Sequence, residues 1–195
     1  DALKSVKEDL LLGYQHREWD EGLDYKKYNK YYEEVPLVAK NALTGLRQAL
    51  SKENKIIGET DYLGILPGNE LPYNTKPDYA RRGDLKTKWS TVATTKSGWR
   101  AGSLPSSLSG PFEKSHLYQV AGFWAVNGGL PPFLVYATEK DYRVFDQDNS
   151  PELSNENLAR IVKNIINYNK VTERLLKVCS TKEQLFEMEH TDYSD

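Results

Sequence analysis

Two short glycine-led segments constrain this chain most. They are Gly58-Glu59-Thr60-Asp61-Tyr62-Leu63-Gly64 and Gly83-Asp84-Leu85-Lys86-Thr87. Both read as strands in a chain whose flanks show helical spacing, so helices must pack on a sheet. Side chains two apart on a strand share a face, which puts Asp84 and Lys86 on the same side. If the two strands are neighbours, Asp61 comes alongside Asp84. Carboxylates are hard oxygen donors that suit Mg²⁺ or Mn²⁺. A lysine beside them can orient a water or a phosphate oxygen, and a metal there can activate water for in-line displacement at phosphorus.

The pattern along the chain predicts the other elements. Leu3, Val6, Leu10, Leu11 and Tyr14 give helical spacing over residues 2–20. A second helical piece is expected over 24–34, and Pro36 restricts the residue before it. A helix follows with Ala42, Leu43, Leu46, Ala49 and Leu50 on one face. Residues 55–66 turn to strand, Pro67-Gly68-Asn69 is a turn, and the polar residues up to Arg82 read as an elongated connection to a strand from Gly83 to Trp89. Residues 90–115 are longer than an ordinary connection, and such loops are commonly functional or disordered. A helix starts at His116. Strands follow over Phe133–Thr138 and Tyr142–Asp146, joined by a Glu139-Lys140-Asp141 turn. A long helix begins at Asn155 with Leu158, Ile161, Val162, Ile165 and Ile166.

The expected class is α/β, with a mixed central sheet flanked by helices and an N-terminal helical segment. A length of 195 residues suits one domain. Its expected parts are a helical 1–54, a core over 55–146, a C-terminal helix over 150–180 and an acidic tail over 181–195.

Composition narrows the class of protein. Mean hydropathy is −0.68, and no apolar run approaches the ~20 residues of a membrane span. No signal-peptide pattern opens the sequence, so cytoplasm-like surroundings are expected. The single Cys179 excludes an intrachain disulfide and a cluster built from cysteines. Net charge is only −2, but residues 76–100 carry seven basic side chains against two acidic ones. Tyr79, Trp89 and Trp99 lie among them. Basic groups neutralise phosphates, and aromatic rings stack on unpaired bases.

In this order the motifs resemble the PD-(D/E)xK nuclease superfamily, in particular its RecB-type branch of lambda-type, phage and organellar exonucleases. The family pattern is a Gly-x-x-Asp strand, an Asp/Glu-x-Lys-Thr strand and a helix carrying Gln-x-x-x-Tyr. Here these read Gly58-Glu59-Thr60-Asp61, Asp84-Leu85-Lys86-Thr87 and Gln119-Val120-Ala121-Gly122-Phe123. Phe123 replaces the family tyrosine, and Asp61 and Asp84 stand 23 residues apart, more than a minimal hairpin needs. The resemblance covers roughly residues 56–146 and implies a restriction-endonuclease-like core. Some relatives carry a four-cysteine cluster, which this chain cannot.

The resemblance also implies roles. Asp61, Asp84 and the Leu85 carbonyl would bind Mg²⁺ or Mn²⁺, Lys86 would position the attacking water, and Gln119 would order the site or touch the DNA backbone. His16 on the first helix, Glu33 or Glu34 ahead of the first strand, and Glu59 are further candidate ligands. Arg81, Arg82, Lys88 and Arg100 would contact phosphates, with Trp99 among them. The expected activity is a metal-dependent DNA exonuclease in the cytoplasm of a bacterium or a phage-infected host, with a mitochondrial setting as the lesser option. It would bind DNA largely without regard to sequence and leave membranes alone, and it could form oligomers. A sequence- or structure-specific endonuclease of the same superfamily, and a binding module that has lost chemistry, are the rivals.

Overall fold

The computed structural model describes residues 25–51, 53, 58–87, 104–110, 113–181 and 184. The helix expected over 2–20, the strand start at Ile56 and Ile57, most of the 90–115 connection and most of the acidic tail lie outside the described residues. So do His16, Lys88, Trp99 and Arg100. The elements are α1 (Tyr25–Ala49), β1 (Tyr62–Ile65), β2 (Pro72–Thr75), β3 (Gly83–Thr87), α2 (Glu113–Val126), β4 (Phe133–Ala137), β5 (Tyr142–Phe145), a single 3₁₀ turn (Pro151–Leu153) and α3 (Asn155–Val178). The class is α/β.

Two differences stand out. The described strands form two small sheets, β1–β2 and β3–β4–β5, rather than one central sheet. The polar stretch expected to be a plain connection contains β2, which pairs antiparallel with β1, Tyr62 opposite Thr75 and Ile65 opposite Pro72. Pro72 and Asn74 are poor strand formers, so the signal for β2 lies in its partner rather than in its own sequence.

The chain divides into two compact units. One comprises Asp1–Asn54, Leu85–Ser106 and Leu134–Phe145, the other Lys55–Asp84, Ser107–Phe133 and Asp146–Asp195.

In the first unit α1 packs on β5. Val38, Ala42 and Leu46, spaced by four, are its buried stripe. Val38 and Ala42 meet Ala137, with Leu85 and Tyr142 against them. Gly45 lets the helix come close, since a Cβ there would lie 2.6 Å from Val135 Cγ1. Asn41 Nδ2 donates to the Thr138 carbonyl at 2.9 Å. Two helical pieces were expected around Pro36, but α1 runs through it unbroken. An interior proline costs about 3 kcal/mol. Burying Val38 and Leu46 returns about 1.5–3 kcal/mol each, enough to offset it. β4, Phe-Leu-Val-Tyr-Ala, is buried at every position and lies between β3 and β5, as a continuous apolar run predicts. β5 pairs antiparallel with it, Leu134 opposite Phe145 and Ala137 opposite Tyr142.

In the second unit the β1–β2 hairpin lies on α2, and α2 packs on α3. Gly64 faces Val126 and Gly122 faces Tyr73, each so close that a Cβ would sit 2.8 Å from the neighbour. Ser154 caps α3, accepting from Asn157 N at 3.4 Å, and Leu158, Ile161, Val162 and Ile165 are its buried face. The hairpin turn is tied to the far end of that helix. Glu173 Oε1 accepts from the backbone N–H of Glu70 at 2.7 Å and of Leu71 at 2.8 Å. Asn69 Nδ2 donates to the Ile166 carbonyl at 3.3 Å, and Lys177 Nζ pairs with Glu70 Oε1 at 2.6 Å. No described helix is long and apolar enough to cross a membrane.

The Leu71 N–H holds the Glu173 carboxyl below its ordinary value, with the Glu70 N–H, Asn69 and Lys177 adding to it, although burial acts the other way. A carboxyl depressed in the folded state stabilises fully above its ordinary pKa and loses that contribution as pH falls through the folded value. Glu173→Gln is therefore expected to melt below the wild type at neutral pH, with the gap closing below pH 4.5. Thermal melts followed by circular dichroism check this; a gap independent of pH would count against it.

Candidate functional site

The residues of the Asp-x-Lys motif sit on β3, at one edge of its sheet. The strand starts where glycine is obligatory. The Phe133 ring fills the space next to Gly83, where a Cβ would lie 1.9 Å from Cζ. Phe133 N donates to the Arg82 carbonyl at 3.3 Å at this point. Asp84 follows at 2% exposure, while Leu85, Lys86 and Thr87 are half-buried. Burying a carboxylate is costly unless donors or a cation compensate it. Strand periodicity gives Asp84 and Lys86 one face of β3, as expected.

β3 is led in by a tight turn. Tyr79 N donates to the Gly83 carbonyl at 3.1 Å, Gly83 N to the Tyr79 carbonyl at 2.8 Å, and Arg82 N to the same Tyr79 oxygen at 3.1 Å. The two central residues, Ala80 at φ 50° and Arg81 at φ 64°, are both left-handed. This is the geometry that usually recruits Asn-Gly, and each side chain held there costs about 1–2 kcal/mol. The turn is pinned from outside. Asn127 Nδ2 donates to the Arg81 carbonyl at 2.5 Å, and Arg82 Nη1 donates to the Pro131 carbonyl at 2.6 Å. The Arg82 guanidinium also lies 5.1 Å from the Phe133 ring centroid, so this arginine serves the fold. Arg81 differs: its guanidinium is exposed and stands 5.4 Å from the Tyr62 centroid.

Asp61 is not on a strand. It is exposed, directly ahead of β1. The expectation that its strand neighbours that of Asp84 is overturned, because β1 pairs with β2 and belongs to the other sheet. Strand neighbours are chosen by tertiary packing, which spacing along the chain does not report. The company of Asp61 is Lys76. Glu59 forms an ion pair with Lys76 Nζ. That hydrogen bond and charge raise the Lys76 pKa, and Asp61 and Asp78 add to the effect. Sequence reading counted Lys76 in the basic stretch and missed this acidic setting.

The remaining described candidates lie on helices. Glu33 is exposed on α1, whereas Glu34 is 8% exposed, with Lys30 Nζ at 3.9 Å. Gln119 is half-buried on α2. In kind, the carboxylates of Asp84 and Asp61 fit Mg²⁺ or Mn²⁺. Among the described residues no group of three His, Cys, Asp or Glu side chains is assembled. The turn around Arg81 was missed because Tyr-Ala-Arg-Arg-Gly lacks the Asn-Gly signal.

Replacing Ala80 by glycine removes the Cβ clash of the left-handed backbone. Ala80→Gly is expected to stabilise the protein by up to about 1 kcal/mol. Urea unfolding measures this, and a loss of stability would contradict the strain.

Compared with protein-family models, with curated proteins and with solved structures, the chain matches none.

Proposed function

We propose that this protein is a metal-dependent deoxyribonuclease, acting from DNA ends. The observation that carries the reading is the pairing on β3 of a carboxylate at 2% exposure, Asp84, with a lysine two residues on. Asp84 and the Leu85 carbonyl would hold Mg²⁺ or Mn²⁺. Such an ion, when bound, supplies charge neutralisation at the phosphoryl group and a more acidic water. Lys86 orients the attacking water and offsets charge that develops on the phosphate. Gln119 orders the site. Arg81, Lys88 and Arg100 meet phosphates, and Trp99 offers a ring to an unpaired base. Binding of this kind is largely blind to sequence and weakens with salt. DNA replication, recombination or degradation in the cytoplasm is the setting such an enzyme serves.

A binding module without chemistry is the second reading. What favours it is the position of Asp61, exposed beside Lys76 and ahead of a strand in the other sheet.

Cleavage of end-labelled linear DNA, single- and double-stranded, beside closed circles separates the readings. Asp84→Asn and Lys86→Ala are each expected to slow Mg²⁺- or Mn²⁺-dependent loss of linear DNA about a thousandfold. EDTA is expected to stop it. Undiminished cleavage by both variants would refute the assignment. Cutting of circles would point to an endonuclease, and DNA binding with no cleavage under either metal to the binding module.

A further inference from the structure

The turn before β3 holds two arginines in opposite states. Arg82 is committed to the protein, through the Pro131 carbonyl and the Phe133 ring. Arg81 is exposed, and among the described residues its guanidinium makes no hydrogen bond. It lies over the Tyr62 ring, 5.4 Å from its centroid. Lys76, in the same unit, is already engaged by Glu59.

The backbone beneath Arg81 is unfavourable for an arginine. Both Ala80 and Arg81 have positive φ, and the Asn127 amide fixes the Arg81 carbonyl at 2.5 Å. Strain of this kind persists only where the surroundings impose it, and it gathers at ligand-binding positions. The Tyr62 ring limits the freedom of the exposed guanidinium, whose N–H groups make no hydrogen bond among the described residues. A planar fork held that way is preorganised to donate two parallel bonds to a phosphate. An aromatic ring at its side suits an unpaired base, whichever base it is.

We propose that Arg81 over Tyr62 is a binding site for the sugar-phosphate backbone of single-stranded DNA, and that Arg82 is a scaffold residue. This rests on the nucleic-acid reading above but not on its chemistry, since no metal and no catalytic residue takes part. It divides the adjacent arginines, which the sequence presents as equivalent, into one that meets substrate and one that does not.

The test is fluorescence anisotropy with fluorescein-labelled oligo-dT and the full chain, with Ca²⁺ in place of Mg²⁺ and over a range of salt. Glycine tolerates the left-handed backbone, so Arg81→Gly removes the guanidinium and keeps the turn; a thermal melt verifies folding. Arg81→Gly is expected to bind about tenfold more weakly. Its plot of log affinity against log salt should flatten by about 0.7, the loss of one phosphate contact on a single strand. Arg81→Lys should restore the salt slope but only part of the affinity, since ammonium keeps the charge and loses the fork. Affinity and slope unchanged in Arg81→Gly, or no binding of oligo-dT by the wild type, would overturn the proposal. The nuclease reading falls separately. If binding depends on Arg81 while no DNA is cut under any metal, the site stands and the enzyme does not.

Discussion

Gly83 has no side chain, and the Phe133 ring stands where one would begin. Much of the candidate site depends on that close approach. It seats the start of β3 beside the start of β4, and β4 is the strand buried along its whole length. Asp84, Leu85 and Lys86 inherit their places from this seating, one residue at a time along the strand. The turn before Gly83 inherits its strain from the same point. Tyr79 and Gly83 exchange both backbone bonds, so three residues must close the loop, and two of them go left-handed. The Arg82 guanidinium then lies over the ring that excluded the glycine side chain. One apolar contact thus fixes a strand, a strained turn and the fate of an arginine.

What was legible in the sequence follows from where each signal resides. α3, β4 and β5 were readable because local cues agreed: a stripe at helical spacing, a continuous apolar run, and a turn between strands. α1 was readable as helix but not as one helix, because the local cost of Pro36 is visible in sequence and the burial of Val38, Ala42 and Leu46 is not. β2 was hidden because Pro-Tyr-Asn-Thr has little intrinsic strand character and forms by pairing with β1. The candidate site divides the same way. Asp84 and Lys86 lie on one strand, so their relation was a local fact. Asp61 and Asp84 lie 23 residues apart, and the choice of sheet for each segment is a long-range outcome.

The charges of the basic stretch carry the same lesson. In sequence Lys76, Arg81 and Arg82 add up to one patch. In the fold Lys76 answers Glu59, Arg82 answers a carbonyl and a ring, and Arg81 faces solvent over Tyr62. Counting charges measures a surplus. Only the partners show which charge is available to a ligand.

The Glu173 clamp has a consequence for motion. The Glu70 and Leu71 amides sit in a surface turn, where backbone protons usually exchange with solvent quickly. Here their acceptor is a carboxylate more than a hundred residues away, near the end of α3. Either amide is released only when its bond to the Glu173 carboxylate breaks. Their deuterium uptake therefore reports the opening of the contact between the turn and that side chain, a junction that no local bond within the turn spans.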